Sequence, residues 1–449
     1  MTLYRPPAPH PTGPVRGLIR AAWRGERDLL SLMPDIAYTT SIGRLGRSRR
    51  GIVLINEPDA VVQVLTDPLG VFPKNDLMVG ALEGLVGQSM FVASGPPWRR
   101  QRRMIEPAFS LMRVNRSFEA MKAGIDAYEP ILDDAAQSGD AISLDATMSA
   151  LTADIICRTI FTQSLASQTA RDVFAAFGQF ERSVANTEIR RLLLGRPFAK
   201  IPQSAAVREA CARIRNHLAT LLKPRLAPDA APIDDIVGAV IAARDADTGE
   251  GFSESELIDQ IGVFFLAGHE TTASVLTWCF FILAQRPDLA ARLRAESENL
   301  ADIRLEHTKQ LGFTRNMFRE AMRLYPPITF IPRVAEQDTE IAGHRLERGC
   351  MAMIAPWTIH RSPNNWPNAD RFDPDRFEGE VTPGSYIPFG YGPRICVGAA
   401  FATIEATLIL ARLAQRYDFT PLNPDRVRPV ARLTTKPAEE IAVRVTRRA

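Results

Sequence analysis

Phe389-Gly390-Tyr391-Gly392-Pro393-Arg394-Ile395-Cys396-Val397-Gly398 reads as a ligand loop. Three glycines and a proline let the chain turn tightly and bring its backbone close to a flat partner, because glycine has no Cβ to hold that partner off. One soft ligand, Cys396, sits inside the loop. Directly after it, the alanine-rich run Ala399, Ala400, Phe401, Ala402, Ile404, Ala406, Leu408, Ile409, Leu410 and Ala411 predicts a largely buried helix. Cys396 is therefore expected near a helix N-terminus, where unpaired amides and the positive end of the dipole favour a thiolate over a thiol.

A lone cysteine in a Gly-rich turn is as readily a buried structural residue. Here the spacing adds information: Phe389, Gly392, Arg394, Cys396 and Gly398 fit F-x-x-G-x-R-x-C-x-G, and the chain resembles the cytochrome P450 family of haem-thiolate monooxygenases. The resemblance runs from about Gly51 to the C-terminus. It implies a mainly α fold with a smaller β-rich region, and haem b held between a long central helix and the cysteine-loop helix. Cys396 would be the axial thiolate ligand of the iron, with Phe389, Arg394 and Gly398 around the cofactor.

At 449 residues the chain exceeds the ~250 to 300 at which single cores usually stop growing. No Gly/Ser-rich linker and no internal repeat offers a boundary, so one large unit over 1–449 is expected, with about 1–50 as an N-terminal extension. A net charge of +3 is near neutral for this size and gives no reason to expect nucleic acid. The five cysteines, Cys157, Cys211, Cys279, Cys350 and Cys396, are an odd number without C-x-x-C pairs, the usage of a reduced, cytoplasmic protein. Neither a secretory pattern nor the ~20 apolar residues of a membrane anchor occurs in the first forty positions. By resemblance, that is a soluble, bacterial-type member, for which a monomer is usual.

Working outward along the chain, Ile52 to Ile55 and Met351 to Ile354 read as strands, as does Ile441 to Val445. The glycine-rich stretch from Leu77 to Val92 reads either as a surface loop or, by resemblance, as one wall of a substrate pocket. Trp98 and Arg102 are four apart on a helix opened by Gly95-Pro96-Pro97, so they share a face. The resemblance assigns this W-x-x-x-R pair to one haem propionate, and Arg333 and Arg394 to the other. Arg99 and Arg103 share another face, either as solvated charge or as a steering patch for an acidic electron donor. Phe174, Phe177 and Phe180 form a helical stripe of the kind that is usually core, and the resemblance makes the loop Gly195 to Pro202 part of a mobile roof.

The second anchor is a predicted helix from about Ser253 to Gln285, with a capping box at Ser253 and Glu256 and a stop at Arg286-Pro287. Its middle is apolar nearly all round apart from His269-Glu270-Thr271-Thr272. A membrane span is the rival reading, but a central His-Glu pair argues for a buried helix. Ala267-Gly268-His269-Glu270-Thr271 fits the family's A-G-x-[DE]-T. Small residues at Ala267 and Gly268 leave room beside a flat cofactor, Thr271 can hydrogen-bond there, and Glu270 can relay protons; for Thr271 alone, a bond back to its own helix carbonyl is the plainer alternative. Glu320 and Arg323, with Arg376 of Pro374-Asp375-Arg376-Phe377, fit E-x-x-R and P-x-R-F. By resemblance they form a buried structural charge network.

The expected activity is a haem-dependent monooxygenase inserting one atom of O₂ into a hydrophobic organic substrate by hydroxylation or epoxidation. No flavin or nicotinamide motif is present, so a separate ferredoxin or flavodoxin-type donor with its reductase is implied. The alternatives are a peroxide-driven peroxygenase, which would not need the Glu270-Thr271 pair, a non-catalytic haem-thiolate binding or gas-sensing protein, and a membrane structural protein. Leu82, Phe91, Val263, Phe264, Ile328, Phe330 and Thr434 are the candidate substrate contacts, the apolar ones pointing to a terpenoid, fatty acid, steroid or aromatic hydrocarbon.

Overall fold

Ser253 and Glu256 open the central helix reciprocally: the Glu256 N–H donates to Ser253 Oγ at 3.3 Å, and the Ser253 N–H to the Glu256 carboxylate at 2.8 Å. From this capping box the helix runs Glu254–Gln285, and Arg286, preceding Pro287, leaves the helical region to end it. The computed structural model describes residues 4–9, 13, 28–45, 51–184, 197–198, 203–300 and 302–448. The Gly195 to Pro202 loop thus lies outside the described residues except at 197–198. Among those described, no helix is long and apolar enough to cross a membrane. The apolar girth of the central helix is spent inside the protein instead, with Trp278 stacked on Tyr325 at 4.0 Å between ring centres.

Close approach on one flank needs glycine. Helix Leu144–Phe161 crosses the central helix so tightly that a Cβ on Gly268 would stand 2.6 Å from Ile156 Cδ1. Thr152 of that neighbour donates its hydroxyl to the His269 carbonyl at 2.9 Å. Phe174 and Phe177 meet His269 edge-on, and Phe177 and Phe180 are fully buried, so the aromatic stripe is core.

The helices Gly312–Leu324 and Ala399–Arg416 pack on the other side. Four strands form the largest sheet, in the order Ile42–Arg44, Ile52–Ile55, Met351–Ile354, Ile331–Val334. The two inner strands run parallel with Ile52 opposite Met351, and all eight of their residues are buried, as suits strands covered on both faces. The predicted closing strand is Ala442–Arg447, in a second sheet with Tyr417–Pro421 and Ile142–Ser143. The expected mainly α architecture with a smaller β region is what the chain adopts. The stretch read as loop or pocket wall is helix Asp76–Val86, closed at Gly87 with φ +49°.

A buried charge network fixes the approach to the cysteine loop. Glu320 and Arg323 are completely buried, with Arg323 Nε 2.7 Å and Nη2 2.8 Å from the Glu320 oxygens. The remaining Arg323 donors go to the carbonyls of His360, Ala369 and Arg371 at 2.6, 2.7 and 2.8 Å, so all five are used. Arg376 Nε reaches the same carboxylate at 3.0 Å. His360 extends the chain: its Nδ1 faces the Arg323 carbonyl at 3.2 Å and its Nε2 accepts the Ile387 N–H at 2.9 Å, two residues before Phe389. Burial, then Arg323, pushes the His360 pKa down to about 3, so the ring is a neutral relay of position.

Candidate active site

The loop that carries Cys396 is shaped by two left-handed glycines. Gly390 (φ +77°) and Gly392 (φ +69°) fold it back so that the Cys396 N–H donates to the Phe389 carbonyl at 2.9 Å. A Cβ on Gly392 would lie 2.9 Å from the Leu65 carbonyl oxygen, so the loop is pressed against the end of helix Pro58–Thr66. The next helix starts at Ala399 with Gly398 as its cap. Cys396 is exposed, but its exposed surface opens into an internal cavity and the thiol is otherwise enclosed by protein. That enclosure pushes its pKa up, while the Gly398 N–H and the Arg102 charge pull toward the thiolate.

The cavity has a volume of about 1010 Å³ and is lined by every catalytic, cofactor and substrate residue expected from the sequence, while Glu320, Arg323 and Arg376 lie away from it. At one end stand cations. Arg333, on strand Ile331–Val334, is buried; Arg394 lies over the Trp98 ring, its guanidinium carbon 4.2 Å from the centroid; Arg102 donates to the Ile395 carbonyl at 2.7 Å. Lys74 is a fourth cation, with its ammonium 4.1 Å from the Phe91 ring centre. Burial and then Arg333 and Arg394 lower the Lys74 pKa well below that of a free lysine. Burial likewise brings Arg333 and Arg394 to about 10. Cations that depress one another inside a low-dielectric wall call for an anion. Among the described residues, the only acidic one on the cavity wall is Glu270.

Glu270 belongs to a different part of that wall. Ala267, Gly268, Glu270 and Thr271 line the cavity from the central helix. The Thr271 hydroxyl donates to the Ala267 carbonyl at 2.7 Å. The Glu270 carboxylate is buried, accepts the Thr434 hydroxyl at 2.8 Å and pairs with the Lys436 ammonium. Thr434 thus lines the cavity and bonds this carboxylate as well. Leu82, Phe91, Val263, Phe264, Ile328 and Phe330 supply apolar wall, with Phe264 held edge-on to Phe109 at 5.1 Å. Phe91, under Lys74, stands at the cationic end.

A flat, largely apolar macrocycle with two carboxylates and an iron fits these residues. The thiol faces the cavity, the cations sit to one side with Glu106 on Arg102 as their one ion pair among the described residues, and the smallest side chains of the central helix leave space.

The outward arginines depart from expectation. Arg103 donates to Asp247 at 2.5 Å and to Asp245 at 3.4 Å, and Arg100 pairs with Asp245 and Glu256. Among the described residues, Arg99 alone of this run is exposed and makes no ion pair. The patch is therefore partly neutralised by its own chain. Sequence reasoning missed Lys74, His360 and Lys436. Each is a single polar residue on or beside a strand or turn, brought to the site by long-range pairing, and no local pattern marks it.

A family model described as Cytochrome P450 matches residues 7–443. Cyclooctatin synthase from Streptomyces melanosporofaciens is 32% identical over 394 residues, covering 85% of this chain and 83% of that protein. Cyclooctat-9-en-7-ol 5-monooxygenase from the same organism is 31% identical over 425 residues, covering 91% and 88%. Pentalenene oxygenase from Streptomyces avermitilis is 30% identical over 443 residues, 95% of each chain. The crystal structure of a cytochrome P450DA heme domain superposes with a TM-score of 0.79 at 23% identity, covering 100% of this chain and 99% of that one.

Proposed function

The chain belongs to the cytochrome P450 family, and from that premise we propose that it hydroxylates or epoxidises a hydrocarbon-rich terpenoid seated in the cavity above Cys396. The family makes it a haem b monooxygenase acting on a hydrophobic substrate with outside electrons. Substrate, O₂, two electrons and two protons give the oxygenated product and one water. The substrate class is suggested by relatives named for pentalenene and cyclooctat-9-en-7-ol, together with the apolar wall of the cavity.

When bound, haem b supplies the redox-active iron for reductive O₂ activation, which a thiolate ligand favours by donating electron density. The rest falls to the chain. Cys396 would ligate the iron, its negative charge eased by the Gly398 N–H and Arg102. Trp98, Arg102, Arg333 and Arg394, joined by Lys74, would receive the two carboxylates, and neutralising them would relieve the mutual repulsion of the cations. Phe389 and Gly398 flank the thiolate. Ala267 and Gly268 keep the central helix thin beside the reaction centre. Thr271 holds its proton on the Ala267 carbonyl at rest and can turn it into the cavity, while Glu270 replenishes protons from behind. Leu82, Phe91, Val263, Phe264, Ile328, Phe330 and Thr434 exclude water and orient the substrate. Glu320, Arg323 and Arg376 act only by fixing the loop.

Electrons come, in this reading, from a ferredoxin or flavodoxin-type protein with its reductase. The enzyme works as a cytoplasmic monomer built as one unit over 1–449, a view supported by five free cysteines and a family match over 7–443.

The observation that carries the proposal is the meeting of a cavity-facing thiol, a buried cation cluster and the Glu270-Thr271 pair on one cavity. The CO-difference spectrum of the reduced protein tests it. A strongly red-shifted Soret band is expected and is lost in Cys396→Ser; a band only at the shorter wavelength of histidine or neutral-thiol ligation in the parent protein would refute the thiolate assignment. Titration with pentalenene is expected to shift the haem spin state, and a fatty acid that did so far more strongly would move the substrate class.

A further inference from the structure

The hairpin Pro429–Ala431 and Thr435–Pro437 is tied to the central helix through Thr435. The Thr435 carbonyl accepts from Ser274 Oγ and, at 3.4 Å, from Trp278 Nε1 of the central helix. On its other side, the Thr435 N–H donates to the Pro327 carbonyl at 3.1 Å and its hydroxyl to that of Pro326. Side chains alternate along a strand, so with Thr435 committed to one face, Thr434 and Lys436 share the opposite one. Both reach the same oxygen of Glu270. The Lys436 side chain is 35% exposed and that of Glu270 only 4%. An ammonium in touch with solvent therefore grips a carboxylate on the cavity wall, and the tip of the same hairpin, Arg432 to Thr434, lines the substrate space.

We propose that Lys436 is a positioning residue for proton supply: it keeps Glu270 ionised and aimed at the junction of solvent and cavity, and ties that aim to the hairpin that meets the substrate. Without the ammonium, a buried carboxylate loses its charge partner and takes up a proton, which leaves it a poor carrier. Over a cycle Lys436 stays an ammonium. Glu270, a carboxylate at rest, accepts a proton from solvent water and passes it on to the cavity, which returns it to the carboxylate it started as.

This inference rests on the monooxygenase reading, and the test separates the two. Haem-loaded parent, Lys436→Met, Lys436→Arg, Glu270→Gln and the double variant Glu270→Gln/Lys436→Met are compared for product formed per reductant consumed and for the solvent deuterium isotope effect. Thermal midpoints of the same set give a double-mutant cycle that needs no turnover. Lys436→Met is expected to lower the yield per reductant about tenfold, the scale of losing one hydrogen bond to a charged group, and to raise the isotope effect. Lys436→Arg restores most of both, and Lys436→Met adds nothing once Glu270 is glutamine. The midpoints are expected to be non-additive. A yield and isotope effect unchanged in Lys436→Met while Glu270→Gln alters both would overturn the inference. So would equal effects of Lys436→Met with and without Glu270. Should Glu270→Gln and Thr271→Ala leave both readouts untouched, the proton-delivery reading itself fails, and the inference with it. If Lys436→Met does not load haem, Lys436→Gln enters the same cycle.

Discussion

Glu405 and His360 are completely buried titratable residues with opposite leanings. Neither Glu405 oxygen has a hydrogen-bond partner among the described residues, and the facing Thr272 side chain offsets only part of the effect of burial. Burial raises its pKa well above the ordinary 4.5, so the folded protein holds this proton more tightly than the unfolded chain does. Its stabilising share is full below about 4.5 and drains away as pH rises toward the folded value. For His360 the folded pKa, about 3, lies below the ordinary 6.5, so its share is present above 6.5 and is lost as pH falls between those values. Two predictions follow from the signs, both read from denaturant midpoints across pH. Glu405→Met is expected to gain about 1–3 kcal/mol at pH 7, the penalty of an unsatisfied buried group, and to flatten the alkaline side of the profile; a loss at pH 7 would show that the carboxyl is bonded after all. His360→Gln is expected to flatten the acid side while costing stability near neutrality, because Ile387 and Arg323 lose a fitted partner.

At the scale of elements, the cross-over of Leu144–Phe161 and the central helix depends on one missing methyl group. Gly268→Ala puts a Cβ 2.6 Å from Ile156 Cδ1 and is expected to cost about 1–3 kcal/mol by overpacking. Ile156→Ala added to it should recover part of the loss in melting temperature, and strict additivity would show that the clash is relieved elsewhere. The two elements most legible in the sequence were those with the densest local constraints. The capping box, apolar girth and proline stop bounded the central helix, while the glycines and cysteine of the 389–398 loop admit few other readings. Helix Asp76–Val86 was less legible because its glycines answer to tertiary contacts. Gly84 lies against the Gln203 side chain and Gly87 turns the chain beside Asp259, so a residue that weakens a helix by propensity is kept for closeness. Lys74, His360 and Lys436 escaped for a related reason. An isolated polar residue acquires a role only when distant strands set it down beside the cavity, and the ion pairs of Arg103 were not legible because Asp245 and Asp247 come from a separate turn.

For the whole molecule, the seven expected substrate contacts and the nine expected cofactor contacts come from segments spread between residues 82 and 434, yet all line one cavity. Such a site exists only when the fold is complete. The parallel pairing of Ile52–Ile55 with Met351–Ile354 carries a further consequence, one of timing. The first strand leaves the ribosome roughly 300 residues before its inner partner, a wait of about 15–60 s at bacterial synthesis rates. During that interval Ile-Val-Leu-Ile has the hairpin strand Ile42–Arg44 on one edge and nothing on the other, a short, β-prone and uncharged template for association with other nascent chains. The folded yield is therefore expected to be limited by synthesis rather than by final stability. Lower growth temperature or extra nascent-chain chaperone should raise the soluble, haem-loaded fraction severalfold without changing the melting temperature of the purified protein, and fragments ending before Met351 should stay sensitive to protease.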